Sequence, residues 1–313
     1  MYDIIGDIHG HADELVELLE LMNYQLVDGV YRHDQRMAVF CGDFIDRGPQ
    51  IPEVVSIART MVENGAALAV MGNHEFNALA WHTPNPAEPG SWYRRHSERN
   101  QRQHQATLDQ FEPDELEAAL QWFGTLPVAM DLGTFRVVHA CWDAAAIQRL
   151  EELRTSLGTA YSSEFLSQTA LPNSRLFADV ERVLKGPELA LPTGHFVTDK
   201  EGNRRHRIRI RWFDSPQNRS WCDYALPSQR ELPAEFVPQD APAVPYSADD
   251  VPVFVGHYWL PDESARPLTD NVACLDYSIA RDGFLTAYRF DGETPLSADL
   301  FVAVPSRTQR TAR

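Results

Sequence analysis

Apolar residues in the first half of the chain fall into short runs separated by helical patterns, an alternation that predicts an α/β core. Tyr2 to Gly6 reads as a strand ended by a turn. Behind it Leu15, Val16, Leu18, Leu19 and Met22 recur at helical spacing, with Asp13 and Glu14 in the first turn, where the helix dipole favours acids. Tyr24 to Val27 and Val30 to Arg32 flank Asp28-Gly29, a hairpin-turn dipeptide. Arg36 to Cys41 is the next strand, and a helix starts near Pro52 and stops near Asn64-Gly65. Ala66 to Met71 gives a third strand and His74 to Trp81 a short helix. Trp92 to Phe111, rich in Arg, His and Gln, reads as a surface helix. Asp114 to Phe123 is another helix, Val128 to Met130 and Phe135 to Ala140 are strands, and helical patterns cover Ala144 to Leu153, Ser163 to Thr169 and Arg175 to Leu184.

Arg205 to Phe213 alternates strictly, with Arg205, Arg207, Arg209 and Arg211 on one face and His206, Ile208, Ile210 and Trp212 on the other, which predicts a half-buried strand. The proline-dense stretch Pro227 to Pro252 reads as a long wrapping loop, and three late strands are expected at Pro252 to Gly256, Val272 to Ser278 and Leu285 to Phe290. The chain has 313 residues, with 28 Lys+Arg against 45 Asp+Glu, a formal charge of −17. That balance disfavours nucleic acid and anionic membrane as partners. No apolar stretch approaches the roughly 18 residues of a membrane span. The start Met1-Tyr2-Asp3-Ile4-Ile5 lacks a signal-like pattern, and Cys41, Cys141, Cys222 and Cys274 are dispersed with no CxxC. A cytoplasmic protein is expected.

Chemistry concentrates where strands end. Gly6-Asp7-Ile8-His9-Gly10, Gly42-Asp43-Phe44-Ile45-Asp46-Arg47-Gly48, Gly72-Asn73-His74-Glu75, Val138-His139 and Gly256-His257 each close an apolar run with ligand-type side chains. Open α/β sheets place their sites at such loops. Asp, His and Asn offer oxygen and nitrogen donors suited to Mn, Fe or Zn and, less well, Mg. If two cations sit about 3.5–4 Å apart, one carboxylate must bridge them.

At these residues the sequence resembles the calcineurin-like metallophosphoesterases and, within them, the phosphoprotein phosphatase branch that includes bacterial diadenosine tetraphosphatases. The ordered set GDxHG, GDxxDRG, GNHE and two later histidines is complete. It covers residues 1 to 80 and then patches around His139 and His257. The resemblance implies a four-layer αββα sandwich of two mixed β-sheets. It also implies two divalent cations, manganese first, with iron, zinc or magnesium as alternatives. Asp7, His9 and Asp43 would hold one cation, and Asp43, Asn73, His139 and His257 the other. Arg47 would bind phosphate together with Asn73, and His74, oriented by Asp46, would protonate the leaving oxygen. The nucleophile implied is a hydroxide bridging the metals, attacking in line. Glu75 is expected to support the site without ligating. Gly256-His257-Tyr258-Trp259 lacks the second histidine of the GHxH that many superfamily members carry, as that branch does, so the first cation would keep three protein ligands. Cys141 stands where relatives usually have glycine.

Three functions remain open at this stage. The complete GDxxDRG and GNHE motifs favour hydrolysis of a phosphate monoester, as in a serine/threonine protein phosphatase. The Trp259 ending and the arginine stripe favour the alternative, a dinucleoside polyphosphate hydrolase. A metal-stabilised interaction module without turnover is the third. A phosphodiesterase or nuclease is disfavoured by Trp259 and the acidic charge. The expected partner is accordingly a phosphorylated substrate. The chain is read as one domain, 1–313, with a cap or insertion within about 143–250. His11 is read as a helix start, Cys41 as a buried strand residue, and Arg94, Arg95, Arg99 and Arg102 as a solvated face. The Arg205, Arg207, Arg209, Arg211 stripe is either a solvated strand face or a positive wall for a polyanion. Lys185 and Arg175 are further candidates for phosphate contact.

Overall fold

From the N-terminus, β1 (Tyr2–Ile5), α1 (Ala12–Leu21), the hairpin β2 (Gln25–Val27) and β3 (Val30–Arg32), β4 (Met37–Phe40), α2 (Ile51–Glu63), β5 (Ala67–Ala69) and α3 (Asn73–His82) follow the order the apolar pattern predicts. Then come α4 (Glu98–Gln110), α5 (Pro113–Thr125), β6 (Ala129–Asp131), β7 (Arg136–Val138), α6 (Ala144–Leu157), α7 (Ser163–Thr169) and α8 (Arg175–Lys185). The remainder carries β8 (Glu188–Ala190), β9 (Val197–Thr198), β10 (Arg204–Arg205), β11 (Arg207–Arg209), α9 (Trp221–Tyr224), β12 (Val253–Val255), β13 (Val272–Cys274), β14 (Asp276–Tyr277), β15 (Phe284–Phe290) and β16 (Phe301–Pro305). The computed structural model describes residues 1–172, 174–198, 204–229, 231–232, 235–238, 241 and 246–307. Much of the expected wrapping loop at 227–252 therefore lies outside the described residues.

Two mixed sheets form the centre. One has the order β14-β15-β1-β4-β5, with β16 also pairing β15; the other has the order β13-β12-β7-β6. In the first, β1, β4 and β5 are mutually parallel neighbours; in the second, β7, β12 and β13 are. Strand alternation sorts the side chains. Ile4, Val39, Val137, Phe254 and Ala273 point between the sheets and pack with Phe135, Tyr288 and Phe290 in one apolar layer. Their neighbours Ile5, Phe40, Val138, Val253 and Val255 turn outward onto the helices. Because both faces of each sheet are covered, the central strands read as continuous apolar runs. On one outer side α1 touches β15 and β16, and α2 touches β5. On the other, α6 and α8 pack on each other through residues such as Leu150 and Val183 and share the outer cluster with Val138 and Val255. The result is the expected layering of helices around two face-to-face mixed sheets.

Two strand expectations need correction. Val272 to Ser278 is not one strand: it breaks at Leu275, so β13 belongs to one sheet and β14 to the other. Arg205 to Phe213 breaks at His206 into β10, paired with β9, and β11, paired with β8. The pleat still holds over β11, since Ile208, Ile210 and Trp212 are buried while the arginines between them are not. A third apolar cluster gathers here, with Leu191, Val197, Ile208, Ile210, Trp221 and Tyr224. Helices α6 and α8, also inside the interval 143–250, instead join the main core.

Candidate active site

All five motifs lie at the C-terminal ends of parallel strands. Asp7 follows β1, Asp43 follows β4 and Asn73 follows β5, three neighbours of one sheet; His139 and His257 follow the adjacent β7 and β12 of the other. Five loops thus converge from two sheets onto one point. The convergence strains the backbone: His9, Asp43, Asp46, Arg47, His257 and Trp259 all adopt left-handed conformations, with φ between 46° and 76°. Each such residue costs about 1–3 kcal/mol and persists only where its surroundings hold it. Close approach fixes two glycines. A Cβ on Gly256 would stand 1.9 Å from Asp7 Oδ1, and one on Gly72 would stand 2.2 Å from Asp43 Oδ1.

Asp43 is the hub. Its Oδ2 lies 3.6 Å from His9 Nε2, 3.9 Å from His74 Nε2 and 3.3 Å from His139 Nε2, while Oδ1 accepts the His74 backbone N–H at 2.9 Å. The histidine tautomers can be read from the opposite ring edge. His9 Nδ1 donates to the Ile45 carbonyl at 2.8 Å, which leaves its Nε2 lone pair turned toward Asp43, and His139 Nδ1 donates to the Cys41 carbonyl at 2.8 Å with its Nε2 facing Asp43. His139 Nε2 also lies 3.2 Å from Asn73 Oδ1. His257 donates its backbone N–H to Asp7 Oδ2 at 3.0 Å.

These atoms fit divalent cations. Asp7 Oδ1, His9 Nε2 and His257 Nε2 are buried and have no hydrogen-bond partner, a costly state for polar groups unless something binds them. Ligand atoms of His9, Asp43 and His74 lie within 4.8 Å of one another, as do those of Asp43, His139 and His257, so Asp43 is common to both groups. Asp7 belongs to neither group but presents its orphaned oxygen beside them. Proton affinities point the same way. Burial, and next Asp276, hold the Asp7 carboxyl well above the usual range. His139 is pushed up to about 10, because Asp43 overcomes the burial that would lower it. Burial lowers His9 and His257 well below the ordinary histidine value, with His74 adding to the first and Arg209 to the second. The cluster attracts positive charge at its carboxylates and keeps His9 and His257 neutral and ready to ligate, while His139 holds a proton beside Asp43 that a bound cation would displace.

Beside this centre, His74 Nδ1 meets Asp46 Oδ2 at 2.5 Å. Asp46 is held in turn by His104 Nδ1 at 2.8 Å and by the Thr107 hydroxyl, which donates to Oδ1 at 2.5 Å. Burial alone would raise the Asp46 pKa, but the hydrogen bonds from His104 and His74 outweigh it and keep the group a carboxylate. His104 and Thr107 were not singled out in the sequence, where α4 reads as a surface helix. They are buried, and the available signal was that a helix with almost no apolar residues can bury only polar ones. Glu75 caps the neighbouring loop: Oε2 accepts from Asp43 and Gly72, and Oε1 from Phe44. Asp276, also missed, fixes the far side by accepting the Trp259 backbone N–H at 2.8 Å. Trp259 carries the Arg47 guanidinium 4.2 Å above its ring, with Arg281 at 5.4 Å.

The centre opens into a cleft of about 1470 Å³. Asp43, Arg47, Asn73, His74 and His257 line it, and so do Lys185, Arg205, Arg207 and Arg209 from α8, β10 and β11. Of the stripe, Arg211 departs from this lining: it pairs with Asp214 at 2.6 Å and donates to the Leu268 carbonyl. Arg175 is not in the lining. Of the other cluster, Arg95, Arg99 and Arg102 are exposed, as a solvated face requires, and Arg94 is half-buried; Arg94, Arg95 and Arg99 also line the cleft, the first two ahead of α4 rather than on it.

A family model described as calcineurin-like phosphoesterase matches residues 2–224, and the chain belongs to that family. Among curated proteins, the bis(5'-nucleosyl)-tetraphosphatase PrpE [asymmetrical] of Halalkalibacterium halodurans is 46% identical over 74 residues, which is 23% of this chain and 30% of that relative. The match thus spans less than a third of the relative's length. Among solved structures, the cold-active protein-tyrosine phosphatase of a psychrophile Shewanella is 16% identical at a TM-score of 0.47, covering 98% of this chain and 80% of the other. A serine/threonine phosphatase from Saccharomyces cerevisiae is 11% identical at a TM-score of 0.47, covering 97% and 79%.

Proposed function

We propose that the protein hydrolyses a phosphoanhydride bond of a dinucleoside polyphosphate in a reaction dependent on two divalent cations. The observation that carries the substrate class is the lining of the cleft. One phosphate needs little more than Arg47, yet Lys185, Arg205, Arg207 and Arg209 line the same cleft. Such a set suits a chain of phosphates. The 46%-identical segment of a curated tetraphosphatase supports the same class.

Asp7, His9 and Asp43 would hold one cation, and Asp43, Asn73, His139 and His257 the other. Bound there, the ions neutralise phosphate charge and acidify a water molecule. The oxygen and nitrogen donor set accepts manganese, iron or zinc, and manganese is the ion to try first. The protein's own groups do the rest. Arg47, steadied on Trp259, presents its planar fork to phosphate oxygens. His74 delivers a proton from Nε2 to the leaving oxygen, its ring fixed through Nδ1 by Asp46. Arg209, which lines the cleft and is near enough to His257 to lower its proton affinity, would take the next phosphate. We place the reaction in the cytoplasm, which suits four unpaired cysteines, and the net charge of −17 disfavours nucleic acid as a partner.

The test is a substrate panel with manganese: diadenosine tetraphosphate, phosphoserine and phosphotyrosine peptides, a mononucleotide and a bis-aryl phosphodiester. Diadenosine tetraphosphate should give the highest kcat/KM, and both chelator and Asp43→Asn should abolish turnover. A phosphoserine peptide turned over faster would return the site to the protein phosphatase reading. Tight metal binding with no hydrolysis of any substrate would leave only an interaction module.

A further inference from the structure

His96 lies between two indoles. Its ring stacks on Trp81 at 3.7 Å between centroids and 20° between planes, and on Trp92 at 4.0 Å and 17°. Two near-parallel rings that close to one imidazole must occupy its opposite faces, so the three form a single pile. The bottom is anchored: Trp81 is buried on α3, and His96 Nε2 donates to the Trp81 carbonyl at 2.9 Å. The top is held by its own hairpin, in which Asn85 N–H bonds the Ser91 carbonyl at 2.9 Å and Tyr93 N–H bonds the Thr83 carbonyl at 3.2 Å. Trp92 is only partly buried and lines the catalytic cleft. Among the described residues, neither indole belongs to any of the three apolar clusters, and Trp92 is the half-buried end of the pile.

We infer that Trp92 is a stacking platform for a nucleobase of the substrate, in the cleft that Arg205, Arg207 and Arg209 also line. This rests on the reading of the substrate as a nucleotide anhydride and names the subsite that would take its base. A rigid indole backed by an imidazole offers a flat π-surface without the entropy cost of ordering a loose side chain. Arg95 and Arg99 line the same cleft and add the positive charge that a nucleotide's phosphates require. Every base has a π-face, so the platform selects nucleosides over other phosphate carriers without choosing strongly among bases.

The test compares two ligands that resist hydrolysis and differ only by a nucleoside: methylenediphosphonate and its adenosine ester. Each is titrated calorimetrically into the manganese-loaded full chain. Stacking of one base predicts a preference of about 5- to 150-fold for the adenosine ester in the wild type. Trp92→Ala should bring the two affinities together while leaving methylenediphosphonate binding unchanged, and Trp92→Phe should keep most of the preference. An undiminished preference in Trp92→Ala, or none in the wild type, overturns the platform. Turnover of diadenosine tetraphosphate by the wild type is measured alongside. Its absence with the preference intact overturns the proposed substrate alone, and its presence without the preference overturns the platform alone.

Discussion

Asp46 receives three side chains at once, and the arrangement defines what each contributes. His74 occupies Oδ2, while His104 and Thr107 share Oδ1. Removing His104 leaves Asp46 in place on Thr107 but frees its carboxylate to tilt, so the His74 ring loses its fixed direction rather than its partner. His104→Ala should therefore lower kcat about tenfold for substrates with poor leaving groups, and much less for aryl phosphates, which need no proton. Equal loss on both would make His104 a packing residue. Glu75 gives a different kind of prediction. It is fully buried, and its two oxygens satisfy the N–H groups of Asp43, Phe44 and Gly72. Glu75→Gln turns an amide donor toward those donors, and urea denaturation should show a loss of about 2–4 kcal/mol. At this scale the metal-type ligands were legible, because each sits in a short ordered motif. His104, Thr107 and Asp276 were not: a single His, Thr or Asp acquires its role from the tertiary partner it meets, and no spacing within α4 or β14 announces Asp46 or Trp259.

Strand ends set the site, and the tightest constraint is the meeting of β1 and β12. Gly256 ends β12 where Asp7 leaves β1, and no side chain fits between them. Gly256→Ala would push the Asp7 carboxylate aside without touching any ligand type. It should abolish manganese-dependent turnover and remove the rise in melting temperature that bound cation gives the wild type. Retained cation stabilisation would show that the loops yield more easily than their left-handed residues suggest. The same closeness explains which elements could be read in advance. β1 and β4 lie inside the sheet with β5 beside them at its edge, and their apolar runs are unmistakable in sequence. β13 and β14 carry one apolar run interrupted by Asp276, and the need to feed both sheets splits it. The Arg205 to Phe213 alternation located the buried face at Ile208 and Ile210 correctly, but pairing with two separate partners, β9 and β8, broke the strand at His206. Alternation reports which face is buried and carries no information about where a partner strand ends.

The molecule as a whole has a formal charge of −17, and yet its cleft is lined by several arginines. Part of the acidity is concentrated where cations would bind, at Asp7, Asp43 and Asp276, so the overall number understates how positive the loaded cleft becomes. The remaining acids lie mostly on the exterior, where they repel anions approaching from any direction except the mouth. Field lines then run into a low-dielectric groove, and a polyanion should be drawn in faster than its own net repulsion would suggest. Salt separates these contributions. Raising ionic strength from about 0.05 to about 0.5 M shortens the screening length from more than a nanometre to a few ångströms. The value of kcat/KM for a dinucleoside tetraphosphate should then fall by about tenfold, while that for a singly phosphorylated aryl ester changes little. Arg205→Glu combined with Arg207→Glu should lower the low-salt value and flatten the salt dependence, because those residues line the cleft without touching the metal centre. If the double variant keeps the full salt response, the steering comes from the cations and Arg47 alone, and the stripe is a solvated face after all.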